Sequence, residues 1–228
     1  MKVLNNNLFM KKILFLLTIG LFVAGSVSAQ TYYYGPRRVH RRPPPRQQQN
    51  QDDFYRVKVG LTGGLNLANT VNAYGYNSTG TIAAWNAGIY FDVPLAYPLS
   101  FEPEVLYSQK GFTAQLAQSG TNFTSRADYI DVPLLAKFNV VPGFNFLIGP
   151  QISFLTQTTN TYADGTQDHY NYGTTNALLD GVIGVSFDLN RSVELRARYT
   201  IDMSSNNDAD GYDYRNQVWQ IGLGFTFQ

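Results

Sequence analysis

The sequence predicts an all-β chain folded as an eight-stranded antiparallel up-and-down transmembrane β-barrel, and three observations carry that prediction. Eight stretches between Phe54 and Gln228 alternate apolar and polar residues with a period of two, as strands with lipid on one side and a lumen on the other must. The last stretch runs to the chain end, with Trp219, Ile221, Leu223, Phe225 and Phe227 on one face and Gln220, Gly222, Gly224 and Thr226 on the other. The connections alternate between short and long, the pattern of periplasmic turns and outer loops.

The elements follow in chain order. Residues 1–29 read as a secretory signal peptide: Lys11 and Lys12 precede an apolar run from Ile13 to Ala24, and Val27-Ser28-Ala29 offers small residues for cleavage before Gln30. The run is too short for a comfortable membrane helix. Residues 30–53 are rich in Arg, Pro and Gln, with Arg37, Arg38, Arg41, Arg42 and Arg46 around Pro43-Pro44-Pro45. Such a segment has too few aliphatic side chains to order itself and is expected to be a disordered periplasmic linker. Its arginines also suit a tether to anionic lipid head groups or to a periplasmic partner. Nucleic acid is not an expected partner of an exported chain.

Residues 54–228 hold the barrel. The first strand, Arg56 to Leu67, sets Val57, Val59, Leu61, Leu65 and Leu67 against Arg56, Lys58, Thr62 and Asn66. The second, Ala83 to Val93, turns Trp85, Ala87, Ile89 and Phe91 out and Asn86, Tyr90 and Asp92 in. The third, Leu99 to Gly111, opposes Phe101, Val105 and Tyr107 to Glu102, Glu104, Ser108 and Lys110. The fourth, Tyr129 to Phe138, opposes Ile130, Val132, Leu134, Ala136 and Phe138 to Asp131 and Lys137. The fifth runs from Phe144 to about Gln157, with Phe144, Phe146, Ile148, Ile152 and Phe154 outward. The sixth, Ala177 to Phe187, has Asp180 and Ser186 inward, and the seventh, Val193 to Met203, has Glu194, Arg196, Arg198, Thr200 and Asp202 inward. The eighth ends the chain. Pro94 to Pro98, Asn139 to Gly143 and Leu189 to Ser192 are short connections; Asn69 to Thr81, Thr113 to Ala127, Thr158 to Asn176 and Ser204 to Arg215 are long ones. An even strand count with this alternation places both termini in the periplasm. Pro103, Pro133 and Pro150 fall inside strands, where loss of a ladder donor leads us to expect bulges or register errors.

Charge separates along the chain. The whole sequence has a net charge of +1, but from Phe54 onward nine basic side chains stand against fourteen acidic ones, a balance of −5. The inward set Arg56, Lys58, Lys110, Lys137, Arg196 and Arg198 would meet Asp92, Glu102, Glu104, Asp131, Asp180, Asp188, Glu194 and Asp202. A narrow eight-stranded lumen is filled by such side chains, which predicts a plugged barrel with no diffusion pore. A soluble lipocalin-like barrel would turn its apolar face inward around a ligand, and this many ionisable groups do not suit a dry ligand cavity. On the outward face, Trp85, Tyr107, Phe154, Tyr199 and Trp219 form an outer aromatic girdle. Phe91, Phe101, Phe138, Phe144, Phe187, Phe225 and Phe227 form an inner one.

Glu104-Val105-Leu106-Tyr107-Ser108-Gln109-Lys110-Gly111, followed by Tyr129-Ile130-Asp131-Val132-Pro133-Leu134-Leu135 and by Gly149-Pro150, resembles the PorT-like family of small outer-membrane β-barrel domains. The resemblance extends over roughly Val57 to Phe227. It implies the outer membrane of a Gram-negative cell, with outer-membrane lipid as the surrounding partner. It also implies, for part of the family, association with envelope or secretion-complex proteins.

Candidate chemistry is sparse. There is no cysteine and there are two histidines in all, so thiol chemistry is excluded and zinc is disfavoured. Asp168-His169 could suggest a hydrolase or acyltransferase at the outer rim, yet an adjacent pair is not a triad, and a solvated loop histidine is the plainer reading. Glu102 and Glu104 share a strand face as a glycosidase dyad might, but their lumen position favours salt bridges. Asn206-Asn207-Asp208-Ala209-Asp210-Gly211 has the spacing of half a calcium loop, with Gln217 where a bidentate Glu is needed. The sequence therefore predicts no cofactor, no metal and no catalytic set. It points to a non-enzymatic integral outer-membrane protein that acts through its loops or tail. A rim-active enzyme and a narrow porin-like channel are the alternatives.

Overall fold

A computed structural model describes residues 56–71, 76–116, 120–171, 177–204, 206–207 and 213–227. The signal and linker assignments, residues 1–53, lie outside them. The described residues form ten strands: β1 (Lys58–Val71), β2 (Tyr76–Ala96), β3 (Leu99–Leu116), β4 (Asn122–Val141), β5 (Phe144–Tyr162), β6 (Gln167–Asn171), β7 (Ala177–Asp188), β8 (Val193–Asp202), β9 (Asn206–Asn207) and β10 (Asp213–Phe227). Eight of them close a ring in the order β1-β2-β3-β4-β5-β7-β8-β10, with β10 returning to β1 from Val59↔Phe227 to Val71↔Arg215. Every ladder is antiparallel. β6 and β9 are short arms on β5 and β10. No helix among the described residues is long and apolar enough to cross a membrane.

Alternation is what makes the wall. Along β8 each even-numbered residue from Glu194 to Asp202 is buried and each odd-numbered one is at least partly exposed, the period of a pleated strand. The outward set is apolar: Leu65, Trp219 and Phe227 are 63%, 61% and 58% exposed. From Val57 to Leu67, or Phe144 to Phe154, this band covers about ten residues; at ~3.3 Å each and a tilt near 40° it rises about 25 Å, the height of an outer-membrane apolar band. The aromatic girdles lie on this face. Trp85 and Tyr107 pack with ring centroids 5.1 Å apart, and Tyr199 and Trp219 with centroids 4.8 Å apart. Phe91, Phe101, Phe138, Phe187 and Phe227 mark the other end of the same band.

The rim that carries the short connections, the expected inner rim, is built from tight turns. Pro142-Gly143 joins β4 to β5, with Gly143 at φ +82°, a conformation that costs glycine nothing. Asn190 Oδ1 accepts from the amides of Ser192 and Val193 between β7 and β8. Each turn also bonds to a neighbouring strand: Asn139 N–H donates to Pro98 O, Asp188 N–H to Gly143 O and Thr226 N–H to Ser192 O, all at 2.8 Å.

Two expectations need correction. The segments read as long loops are largely strand: β4 begins at Asn122 rather than Tyr129, β5 continues to Tyr162, β3 to Leu116, and β2 begins at Tyr76. Their Thr, Asn and Ser residues pair well, but outside lipid nothing demands an apolar face, so the alternation that marks a strand fades while the ladder continues. The prolines, in turn, cause no register shift. Pairing runs from Pro103↔Leu134 to Leu106↔Asp131 in one register, and Pro150↔Gly181 sits in an unbroken ladder. A missing donor removes a hydrogen bond, whereas a bulge needs an extra residue. The irregularities fall elsewhere, at Thr81/Asn86, Asp128/Tyr129 and near the turns.

Candidate functional site in the barrel lumen

The inward faces bring most of the predicted charge set together in two layers. Near the inner end, Lys137 Nζ from β4 lies 3.2 Å from Asp92, 2.9 Å from Glu102 and 3.2 Å from Glu194. Arg196 from β8 pairs with Glu102 at 3.2 Å, with Glu104 at 2.8 Å and with Glu194. Arg198 grips both oxygens of Glu104, at 2.6 and 2.9 Å. The Arg196 guanidinium lies 3.9 Å over the Tyr90 ring, and Tyr90 is tied to Thr226 by a 2.7 Å hydroxyl contact. Glycine makes room: a Cβ at Gly60 would run into the Tyr90 ring, and one at Gly224 would meet Glu194 and Arg196 at 2.8 and 2.9 Å.

Further out, Lys110 Nζ from β3 lies 3.1 Å from Asp131 and 3.3 Å from Asp180, and 4.6 Å above the Tyr129 ring. Gln151 and Ser153 donate to Asp180, and Asn216 donates to Asp202 through both its backbone N–H and its side chain at 2.9 Å. Asn86 donates to Asn66, which donates to Ser108 at 3.0 Å. The carboxylates, lysines and arginines of both layers are buried, apart from Asp92 at the inner mouth, which is partly exposed.

Three members of the expected network are not in its ion pairs: Arg56, Lys58 and Asp188, whose exposed carboxylate accepts from the Asn145 side chain at 3.3 Å. Arg56 precedes β1 and is exposed, and Lys58 is half-buried at the inner mouth; neither forms an ion pair with the described residues. The ladder starts at Lys58, so both side chains meet water before they reach the interior. The lumen is also less polar than the charge pattern implied. Leu135, Leu147 and Val182 pack together on the β4-β5-β7 side, while Ala68, Ile82 and Val218, and Ala127, Tyr129 and Leu155, form clusters toward the outer end. Each has the parity of its inward polar neighbours. That parity was the available signal, and apolar identity concealed it.

Asp168 and His169 lie on β6 rather than in a loop. Consecutive strand residues point to opposite faces, so the pair cannot act as base and orienter; His169 is exposed, and its Nδ1 is 3.0 Å from Thr159 Oγ1. Glu102 and Glu104 are occupied by lysine and arginine. Only Asn206 and Asn207 of the calcium-like loop are described, as β9, and no group of three His, Asp or Glu side chains that could hold a metal occurs among the described residues. In the β5-β6 turn, the Thr166 hydroxyl and amide donate to Asp164 and hold its carboxyl below the ordinary aspartate range.

Residues 46–227 match the family model described as outer membrane protein beta-barrel domain. The chain belongs to that family. Among solved structures it is similar to Neisserial surface protein A, at 16% identity and a TM-score of 0.51 over 74% of this chain and 97% of that one. It is also similar to Ail, the attachment invasion locus protein of Yersinia pestis, at 13% identity and a TM-score of 0.46 over 75% and 99%. A third similar structure is OprG from Pseudomonas aeruginosa, at 12% identity and a TM-score of 0.31 over 75% and 94%. The search of curated proteins finds no match. The family and the ring of eight strands make this an outer-membrane β-barrel protein.

Proposed function

We propose that this outer-membrane barrel is a non-enzymatic envelope protein whose lumen is closed and whose work is done outside it, by the outer strand extensions and loops and by the basic segment that precedes β1. The observation that carries the reading is the ion-paired lumen: Lys137, Arg196 and Arg198 cross the interior to carboxylates on β2, β3 and β8. A polar channel would need those groups solvated and separate. On the outer side, β2 to β5 continue well past the girdle as Thr-, Ser- and Asn-rich strands, a surface suited to a protein or glycan partner. The PorT-like resemblance favours an envelope or secretion complex as that partner. On this reading both termini lie in the periplasm, on the side of the short turns.

Planar-bilayer recordings of the reconstituted barrel test the closed lumen: the expected outcome is no stable conductance, and steady porin-like steps would defeat it. Protease added to intact cells should cut the β5-β6 turn near Asp164 and spare Arg41, and cleavage at Arg41 reverses the orientation. Crosslinking in intact cells should recover envelope proteins attached to the outer extensions or the basic segment. Catalytic turnover of a lipid or peptide substrate, abolished by His169→Ala, would favour the rim enzyme instead.

A further inference from the structure

On the side of the barrel away from the short turns, β3, β4, β5 and β6 continue side by side past the aromatic girdle, and their registers stack the outward side chains in rows. Directly beyond Tyr107, Ile130 and Phe154 comes a row with Gln109, Asp128 and Gln157. The next row holds Gly111, Arg126, Thr159 and His169, and the one after it Thr113, Thr124 and Thr161. Phe154 and Thr159 share the outward face because Thr156 is an extra residue in β5 between Asp128↔Gln157 and Tyr129↔Leu155, which reverses the alternation. The Thr156 hydroxyl closes this bulge by donating to Asp128 O at 2.8 Å, and Thr158 becomes the buried neighbour.

The chemistry changes abruptly along this one face. Outward residues of β3, β4 and β5 up to Tyr107, Ile130 and Phe154 are apolar or aromatic, and those beyond are hydroxyls and amides with Arg126, Asp128 and His169 among them. Arg126 lies four residues past Ile130, about 10 Å higher at ~3.3 Å per residue and a tilt near 40°. That is the level of the lipid head groups flanking the apolar core, within reach of a long, flexible cationic side chain. Arg126 is exposed, and its guanidinium forms no ion pair among the described residues. Asp128, the anion of these rows, lies one rung nearer the girdle, beside Tyr107. His169 is exposed too, and its Nδ1 is 3.0 Å from Thr159 Oγ1. With the Thr159 hydroxyl donating to Nδ1, Nε2 carries the ring proton and offers it outward. Arg126 and His169 thus flank Thr159 in a single row of donors.

We propose that Arg126, Thr159 and His169 form a binding site on the outer wall for the phosphate of a membrane lipid head group, specifically that of a phosphorylated glycolipid. Arg126 takes the phosphate through its planar fork, His169 donates from the other side, and the threonine and glutamine rows contact sugar hydroxyls. Lipid is the occupant because the row continues the lipid-facing wall: acyl chains packed on Ile130 and Phe154 bring a head group to this level already oriented. The outside of a barrel is convex and offers a soluble small ligand no cleft. The charge on the other wall lacks this setting, since Arg215 on β10 has Val71 as its β1 partner. The glycolipid part of the proposal rests on the outward orientation of the long strands proposed above; the phosphate part holds for either leaflet.

The test uses the full-length barrel in phosphatidylcholine nanodiscs that carry a minor fraction of diphosphoryl lipid A, a phosphorylated glucosamine disaccharide, in both leaflets. Binding then does not depend on which way the long strands face, and protease access in intact cells tests the orientation separately. Native mass spectrometry of the released barrel should show retained lipid A, with retention about tenfold weaker in Arg126→Gln, the loss expected for a charged hydrogen-bonding contact. His169→Gln should weaken it less, and Arg215→Gln should leave it unchanged. Lipid A stripped of its phosphates should bind the unaltered barrel as weakly as intact lipid A binds Arg126→Gln, a comparison that needs no variant to fold. Retention indifferent to the phosphates overturns the proposal, as do equal losses in Arg126→Gln and Arg215→Gln, which would show a basic rim without a site. Displacement of lipid A by millimolar inorganic phosphate would show a free-phosphate site and overturn the lipid assignment.

Discussion

The two ionic layers of the lumen set their carboxylates in different company. The inner layer sets Lys137, Arg196 and Arg198 against Asp92, Glu102, Glu104 and Glu194, and two of its three cations are guanidinium groups: Arg196 reaches three of the acids and Arg198 both oxygens of Glu104. The outer layer sets Lys110 alone against Asp131, Asp180 and Asp202, and completes the shell with amides and hydroxyls. A guanidinium can grip both oxygens of one carboxylate through its planar fork, as Arg198 does with Glu104, and it stays charged at every accessible pH, whereas an ammonium is a compact point charge. The inner layer is accordingly read as the structural lock of the barrel and the outer layer as its adjustable part.

Arg196→Ala should show the largest effect, about 4 kcal/mol lost, because it leaves the buried Glu102, Glu104 and Glu194 to Lys137 and Arg198 alone. Urea unfolding in vesicles, read by heat-modifiable gel mobility, measures it, and the loss should change little between mildly acidic and alkaline buffers. Lys110→Met should cost about 3 kcal/mol at neutral pH, since it removes the outer layer's cation. Here the loss should shrink in acid, where the carboxyls neutralise themselves. Equal pH dependence in these two variants would erase the distinction between the layers.

Smaller effects sharpen the boundary of the inner lock. Gly60→Ala should cost about 2 kcal/mol by overpacking, because its Cβ displaces the Tyr90 ring from beneath Arg196. Pairing Gly60→Ala with Tyr90→Leu should restore part of that loss, which a strain at Gly60 unrelated to Tyr90 would not allow. Leu195→Ala, next to Arg196 but facing lipid, should cost under about 1 kcal/mol, because hydrocarbon surrounds the site in both forms and only contact area changes. A Leu195→Ala loss exceeding that of Arg196→Ala would mean that the lipid-facing side of β8 contributes more than its buried ion pairs.

The sequence by itself determined the wall. A period of two is a local property of each strand, and the lipid and lumen sides impose opposite chemistry, so Leu195 outward and Arg196 inward could be read from neighbours alone. The short turns were legible for the same reason, since Pro142-Gly143 carries its conformation in its residue types. Only the tertiary structure decided who meets whom across the barrel. That Lys137 would join acids on β2, β3 and β8, that Arg56 would stay outside, and that Asp180 would stand opposite Asp202 depend on ladder register and ring closure between residues distant in the chain. The outer strand extensions were also a tertiary decision. Beyond the bilayer the apolar alternation is no longer required, and pairing with a neighbouring strand keeps residues such as Asn122 to Asp128 extended.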